Sequence, residues 1–159
     1  MIFVTVGAQM PFDRLVRTVD QWASRRGRDD VFAQIGQTDY CPSHIRWAPF
    51  LQPEEFKNRY EEARAIVAHA GTGSIITALQ LGKPIVIMPR RANLHETRND
   101  HQIATAEQFR RFRSIAVAWD EIELIDRLER IDELDGLQAI GRHASGELLE
   151  AIRKFIDGA

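Results

Sequence analysis

The 159-residue sequence holds a single cysteine, Cys41. One thiol cannot form an internal disulfide, and such sparing use of cysteine fits a reducing cytoplasm. No apolar run approaches the roughly 18–20 residues that a membrane span requires. The opening residues MIFVTVGAQ read as a strand and a loop, with neither the basic start nor the cleavage site of a secretory signal. Basic residues are not in excess: 21 Lys and Arg stand against 23 Asp and Glu, a formal net charge of −2. Without a global positive field, no nucleic-acid partner is expected. The histidines make no metal set, because His95 and His101 do not pair with Cys41 at a zinc spacing. No Asp-x-Asp pair stands at a strand end to hold a magnesium–diphosphate, so no obligatory metal or other cofactor is expected. Internal repeats, low-complexity tracts and linkers are missing too.

What is present is an ordinary globular composition, 44% apolar and 28% charged, in a chain long enough for one domain over residues 1–159. The stretch Ala65–Pro89 organises it. Ala65–Ala68 reads as a strand, Ala70–Gly73 as a Gly loop, Ser74–Leu81 as a helix and Pro84–Met88 as a second strand. That is a βαβ unit, and its nearly all-apolar strands suit a sheet covered on both faces. The free N–H groups of Gly73, Ser74 and Ile75 would face the loop, where a helix N-terminus favours an anion. Gly71 and Gly73 permit unusual backbone angles and a ligand's close approach. Two readings stand side by side: a phosphate or diphosphate site at Gly71–Ser74, or a tight strand-to-helix turn and nothing more.

Around this unit the chain alternates. Ile2–Val6 reads as a strand, Phe12–Arg25 as a helix, Val31–Ile35 and Ile45–Ala48 as strands, and Glu54–Glu62 as a helix. Beyond Pro89, Asp100–Phe112 reads as a helix, Ile115–Ala118 as a strand, and Glu121–Arg130 as a helix capped by Asp120. A last helix from about Leu137 to Ile156 carries Leu148, Leu149, Ile152, Phe155 and Ile156 at helical spacing. That stripe packs either on the chain's own sheet or on a partner. The alternation predicts an open, doubly wound α/β fold with a mostly parallel sheet and helices on both faces. In such sheets ligands sit beyond the strands' C-terminal ends. The loops Gly7–Pro11, Ala70–Gly73 and Pro89–Arg98 are therefore expected to converge on one crevice.

The Gly loop has no lysine, so it is not the phosphate loop of an NTPase. The dinucleotide fingerprint is half met, with Ile76 where the third Gly belongs. Arg90 and Arg91 could hold a 2′-phosphate, which keeps an NADP-binding, dehydrogenase-like module as an alternative. The segment Pro89–Gln102, PRRANLHETRNDHQ, is dense in donors and acceptors. Glu96, Asp100 and Gln102 suit sugar hydroxyls, while Arg90, Arg91 and Arg98 suit phosphate or carboxylate. A solvated loop would account for part of this polarity. His69, beside the Gly loop, is a structural strand-end residue or a catalytic base.

Three pieces carry a family resemblance: FVTVGAQMPFDRLV (Phe3–Val16), HAGTGSIITALQLGKPIVIMPRR (His69–Arg91) and NDHQ (Asn99–Gln102). Together they resemble the C-terminal half of family-28 glycosyltransferases, and more closely the free-standing subunits of the Alg13-like and PssE-like type. The resemblance implies a Rossmann-like donor domain, one half of a GT-B transferase. It implies that a separate membrane-anchored subunit, Alg14-like or PssD-like, binds the lipid-linked acceptor and holds this chain at the inner face of the membrane. Carried over by position, Gly7, Ala8 and Gln9 and the run Ala70, Gly71, Thr72, Gly73 and Ser74 would flank a UDP-sugar's diphosphate. The backbone at Phe50 and Leu51 would hold the uracil. Thr77 falls where relatives place an acidic residue against the ribose. Asn99, Asp100, His101 and Gln102 match the stretch that meets the donor sugar. The implied reaction is inverting transfer from a UDP-sugar in exopolysaccharide or surface-glycan synthesis, with the general base on the partner. A non-catalytic assembly subunit that has lost donor binding is the second alternative.

Overall fold

Strands such as IVIM (Ile85–Met88) contain only apolar side chains, and IFVT (Ile2–Thr5) a single polar one; both lie in the middle of a sheet clad on both sides. The computed structural model describes residues 1–134 together with Glu150, Arg153 and Lys154. The elements run β1 (Ile2–Thr5), α1 (Asp13–Arg26), β2 (Val31–Gln34), β3 (Arg46–Ala48), α2 (Pro53–Glu62), β4 (Ala65–His69), α3 (Thr72–Gln80), β5 (Ile85–Met88), α4 (His101–Phe109), β6 (Ile115–Val117) and α5 (Glu121–Glu129). The strands form one sheet in the order β3-β2-β1-β4-β5-β6, and every pairing is parallel. The doubly wound α/β reading is correct, and the order reverses between β1 and β4.

Alternation along each strand builds two cores. Ile2, Val4, Ala65, Val67, Val86 and Met88 face one layer with Leu15, Val16 and Val19 of α1 and Leu124 and Leu128 of α5. Phe3, Ile66, Ala68, Ile85 and Ile87 face the other, with Tyr60 of α2, Ile75 and Leu79 of α3 and Phe109 of α4. Asp120 caps α5 as the sequence predicts, its carboxylate accepting the Glu123 N–H at 2.8 Å. Among the described residues no helix is long and apolar enough to cross a membrane.

Several boundaries shift by a residue or more, and three of the shifts have identifiable reasons. Helix α3 starts at Thr72 instead of Ser74, because the Ile75 N–H already closes on the Gly71 carbonyl at 3.1 Å. Helix α4 ends at Phe109 instead of Phe112. The next residues turn back through Phe112 N–H to Phe109 carbonyl and Ile115 N–H to Phe112 carbonyl bonds. Strand β3 starts at Arg46 because the Ile45 N–H is taken by the Asp20 carboxylate. The last helix, predicted over about Leu137–Ile156 with its apolar stripe, lies outside the described residues. The exceptions are Glu150, Arg153 and Lys154, which are helical and exposed.

Asp20 shows how a buried charge shapes this edge of the sheet. It sits on the core side of α1 and accepts from the Ser43, His44 and Ile45 N–H groups at 2.9–3.0 Å and from the Tyr40 hydroxyl at 3.1 Å. Burial alone would raise its pKa, but these donors more than offset it and hold the carboxyl below its ordinary range. The segment it organises delivers β3 and the loop after it. Replacing Asp20 with Ala strands three backbone donors. Urea unfolding of Asp20→Ala should show a loss of about 3 kcal/mol at neutral pH, and the wild-type advantage should shrink as pH falls through the carboxyl's depressed pKa.

Candidate functional site

Register places the strand ends in one row. Thr5 pairs with Gln34 on one side and Ala68 on the other, and His69 pairs with Met88. The loops leaving β1, β4 and β5 therefore start side by side, at the point where the sheet order reverses. The loop after β1 and the segment after β5 line a common crevice as the sequence predicts; from β4 it is His69, the strand's last residue, that lines it, and Ala70–Gly73 are not among the lining residues.

At its centre is His69. Gly7 turns the chain with φ +79°, and a Cβ on it would lie 2.7 Å from the His69 Cε1. A Cβ on Gly71 would overlap the His69 Nε2 still more closely. The two glycines thus bracket the imidazole. Gly71 has ordinary extended angles, φ −87° and ψ 133°, so it is required for room and not for backbone freedom. Burial, helped by the nearby Arg90 charge, pushes the His69 pKa down to about 4. Its Nδ1 is buried without a hydrogen bond. The ring is therefore neutral at physiological pH.

The set of free amides at the helix start differs by one residue from expectation. The Ala70 N–H bonds the Met88 carbonyl at 3.1 Å, and the Gly71 N–H bonds the His69 carbonyl at 2.8 Å. Since Ile75 is also used, the amides left without an intrahelical partner are those of Thr72, Gly73 and Ser74. Nothing lies within 4 Å of a Cβ built on Gly73, so this edge is open. Ala70 is buried.

Two lobes meet at Gly7 and Ala8. One, about 150 Å³, is walled by Gln34, Phe50, Leu51 and Phe56. The other, about 110 Å³, is lined by Val6, Gln9, Met10, His69, Arg90, Thr97 and Gln102. Phe50 is half exposed at the outer rim. The structure brings Gly7, Ala8, Gln9, Phe50, Leu51, His69 and Gln102 to one place, as expected from sequence.

Several polar candidates have other duties. Arg90 is 3% exposed, and its guanidinium donates to the carbonyls of Val6 (2.6 Å), Met10 (2.5 Å), Pro11 (2.8 Å) and Glu96 (3.2 Å). It straps the Gly7–Pro11 loop to the segment after β5 and has no fork left for a phosphate. Arg91 donates to the Trp119 carbonyl at 2.7 Å. Glu96 is held by Arg14 through a two-pronged ion pair at 2.6 and 2.9 Å and accepts the Arg91 N–H at 2.9 Å. The Asp100 carboxylate accepts the Ala92 N–H at 3.0 Å, the Asn99 side chain accepts the His101 N–H at 3.2 Å, and all three residues of Asn99–His101 are exposed. Only Gln102 of that run lines the crevice; its Oε1 accepts the Arg90 N–H at 3.1 Å. The Thr77 hydroxyl bonds back to the Gly73 carbonyl at 2.9 Å. The sequence reading passes over Thr5, Arg14 and Gln34. For Thr5 and Gln34 a signal exists, a lone polar residue in a buried strand; for Arg14 none does, since its partner lies far along the chain.

The depressed His69 pKa has a signed consequence. Between about pH 4 and its unfolded value of about 6.5, the unfolded chain holds more protons at this site. Stability from this group is fully present above about pH 6.5 and is lost progressively down to about pH 4, by up to about 3 kcal/mol. The difference between wild type and His69→Gln in urea unfolding across this window should show that slope. An NMR titration should place the wild-type imidazole midpoint well below 6.

With this geometry in place, the comparisons with known proteins are specific. Residues 1–134 match the glycosyltransferase family 28 C-terminal domain. The chain is 26% identical over 133 residues to the UDP-N-acetylglucosamine transferase subunit ALG13 of Yarrowia lipolytica, covering 76% of this chain and 65% of that one. It is 29% identical over 116 residues to the mouse (Mus musculus) protein of the same name, covering 67% of this chain and 10% of that one. The chain thus spans less than two thirds of the length of either relative. Among solved structures, an NMR solution structure of ALG13 superposes with a TM-score of 0.64 at 18% identity, covering 95% and 93% of the two chains. A crystal structure of the glycotransferase of kitacinnamycin superposes with a TM-score of 0.63 at 20% identity, covering 96% of this chain and 39% of that one. These two likenesses show the fold, the Rossmann-like half of a GT-B architecture. On the match over residues 1–134, the chain belongs to the family of glycosyltransferase family 28 C-terminal domains.

Proposed function

We propose that this chain is the donor-binding subunit of a two-chain inverting glycosyltransferase that uses a UDP-sugar. The observation that carries the reading is the placement of three unpartnered α3 amides at an open glycine edge, beside a two-lobed crevice at the sheet's reversal point. The Phe50–Leu51 lobe offers an apolar wall for a flat base. The amides and the helix dipole offer positive charge for a diphosphate without a resident metal. The name of the ALG13 relatives makes UDP-N-acetylglucosamine the first donor to test.

The lobes, about 150 and 110 Å³, are each smaller than the roughly 300–1,000 Å³ of pockets that enclose a ligand. A second surface is needed to close over the sugar. In this reading a membrane-anchored Alg14-like or PssD-like partner supplies that surface, the lipid-linked acceptor and the recruitment to the membrane's inner face. The product is a precursor of a surface glycan. In the transfer step a base on the partner takes the acceptor hydroxyl's proton, and the hydroxyl oxygen attacks the anomeric carbon. The bond to the diphosphate breaks, and UDP leaves with the electron pair. This chain's share is to hold the donor and stabilise the departing charge at Thr72–Ser74. Neutral His69 fills the floor between Gly7 and Gly71. The NADP reading loses its main support, because Arg90 is tied to four carbonyls.

Calorimetry with UDP, UDP-N-acetylglucosamine, UDP-glucose and NADP tests this. Uridine nucleotides should bind in the presence of EDTA, and the isolated chain should transfer no sugar. A side chain on Gly73 enters open space, so Gly73→Leu should fold normally by circular dichroism while weakening UDP at least about tenfold. Absence of any uridine-nucleotide binding by wild type would overturn the proposal. Unchanged binding by Gly73→Leu would remove α3 from it. A folded Gly73→Leu chain that still assembles with its partner but has lost transfer separates a donor role from a purely architectural one.

A further inference from the structure

Two polar side chains end otherwise apolar strands, and they are register partners: Thr5 on β1 and Gln34 on β2. Both are buried, at 0% and 4% exposure. The Thr5 hydroxyl donates to the Gln34 Oε1 at 2.7 Å. The Gln34 Nε2 donates to the Gly7 carbonyl at 3.2 Å and the Pro49 carbonyl at 3.0 Å. The Gly7 N–H closes the ring by donating to the Thr5 Oγ1 at 3.2 Å. Both carboxamide hydrogens and the hydroxyl hydrogen are used, so the network is satisfied in one arrangement only.

What the ring joins matters more than its place in the sheet. Gly7 is the floor shared by both lobes, and Pro49 leads directly into the Phe50–Leu51 wall. These loops leave different strands, and a single side chain bonds the backbone of each. The Gly36 N–H also bonds the Pro49 carbonyl, at 2.9 Å, which anchors the wall side of the clamp to β2's own end. We infer that Gln34, oriented by Thr5, is a positioning residue that sets the separation of the crevice's two lobes, so that a nucleoside diphosphate engages the base-side wall and the glycine floor at once. This rests on the reading of the crevice as a UDP-sugar site. A ligand spanning both lobes gains from both only where their spacing is set in advance. A fragment that fills one lobe does not depend on that spacing.

The test compares UDP with the fragments uridine and inorganic pyrophosphate, on the full chain, by calorimetry and NMR titration. Gln34→Leu and the near-isosteric Gln34→Glu should weaken UDP about tenfold and change each fragment less than about twofold. Thr5→Val should act like Gln34→Leu, Thr5→Ser should restore wild-type binding, and the Thr5→Val/Gln34→Leu double variant should be no weaker than either single one. The inference is overturned if Gln34→Leu binds UDP within twofold of wild type, if UDP and both fragments weaken in equal proportion, or if Thr5→Ser fails like Thr5→Val. Should the variants not fold, the wild-type carboxamide protons of Gln34 decide. UDP should shift them and slow their exchange, and unmoved resonances overturn the inference. Wild type that binds no uridine nucleotide at all fails the site reading itself. Wild type that binds UDP while Gln34 is indifferent fails only the positioning role.

Discussion

A buried guanidinium holds together the loops at the C-terminal ends of the strands. Arg90 leaves β5, passes beneath the crevice and bonds four carbonyls drawn from two loops, with Phe12's ring 5.1 Å away. Burying a lone cation costs several kcal/mol unless oxygen dipoles replace its water. Here the four carbonyls supply that replacement. Burial pulls the pKa down only to about 10, with Glu96 opposing, so the charge is kept at neutral pH. A planar fork can reach several acceptors at fixed angles and an ammonium cannot. The loop after β1 and the segment after β5 are thereby one rigid unit. Arg14 extends it by clamping Glu96 and reaching the Pro89 carbonyl.

His69 is packed against that unit. Glycine on each side is the condition for its presence. A neutral ring serves this role better than a charged one, since Arg90 is close and most of the ring is removed from water. The polar floor follows the same economy. Thr5, Gln34 and the backbone of Gly7 and Pro49 satisfy one another within the sheet's end, and the lobes above them are left open.

The two lobes meet at Gly7 and Ala8, with the Phe50–Leu51 wall in one and Gln102 in the other. Under the proposed reading the ligand is elongated, with a flat apolar end and an anionic middle, and a second body closes the cleft over it. A self-contained pocket would need walls that the described residues do not provide.

The fold was legible in the sequence because it depends on local signals. Apolar strands, helical spacing and glycine or proline punctuation each act over a few residues, and all agreed on βα alternation. The family pieces His69–Arg91 and Phe3–Val16 likewise mark loops that leave the sheet at its reversal point. Chain order could not say which polar residues face the crevice and which face the protein. Pro89–Gln102 reads as a row of equivalent donors and acceptors, yet Arg91, Glu96 and Asp100 bond the chain itself, while Arg90 and Gln102 both bond the chain and line the crevice. The partners that decide this, such as Arg14 for Glu96 and Pro11 for Arg90, lie about eighty residues away. Composition and spacing determined the sheet, the switch point and the glycine turn. Only the tertiary structure decided which charges are internal struts, because a hydrogen bond is set by distance in space and the sequence records distance along the chain.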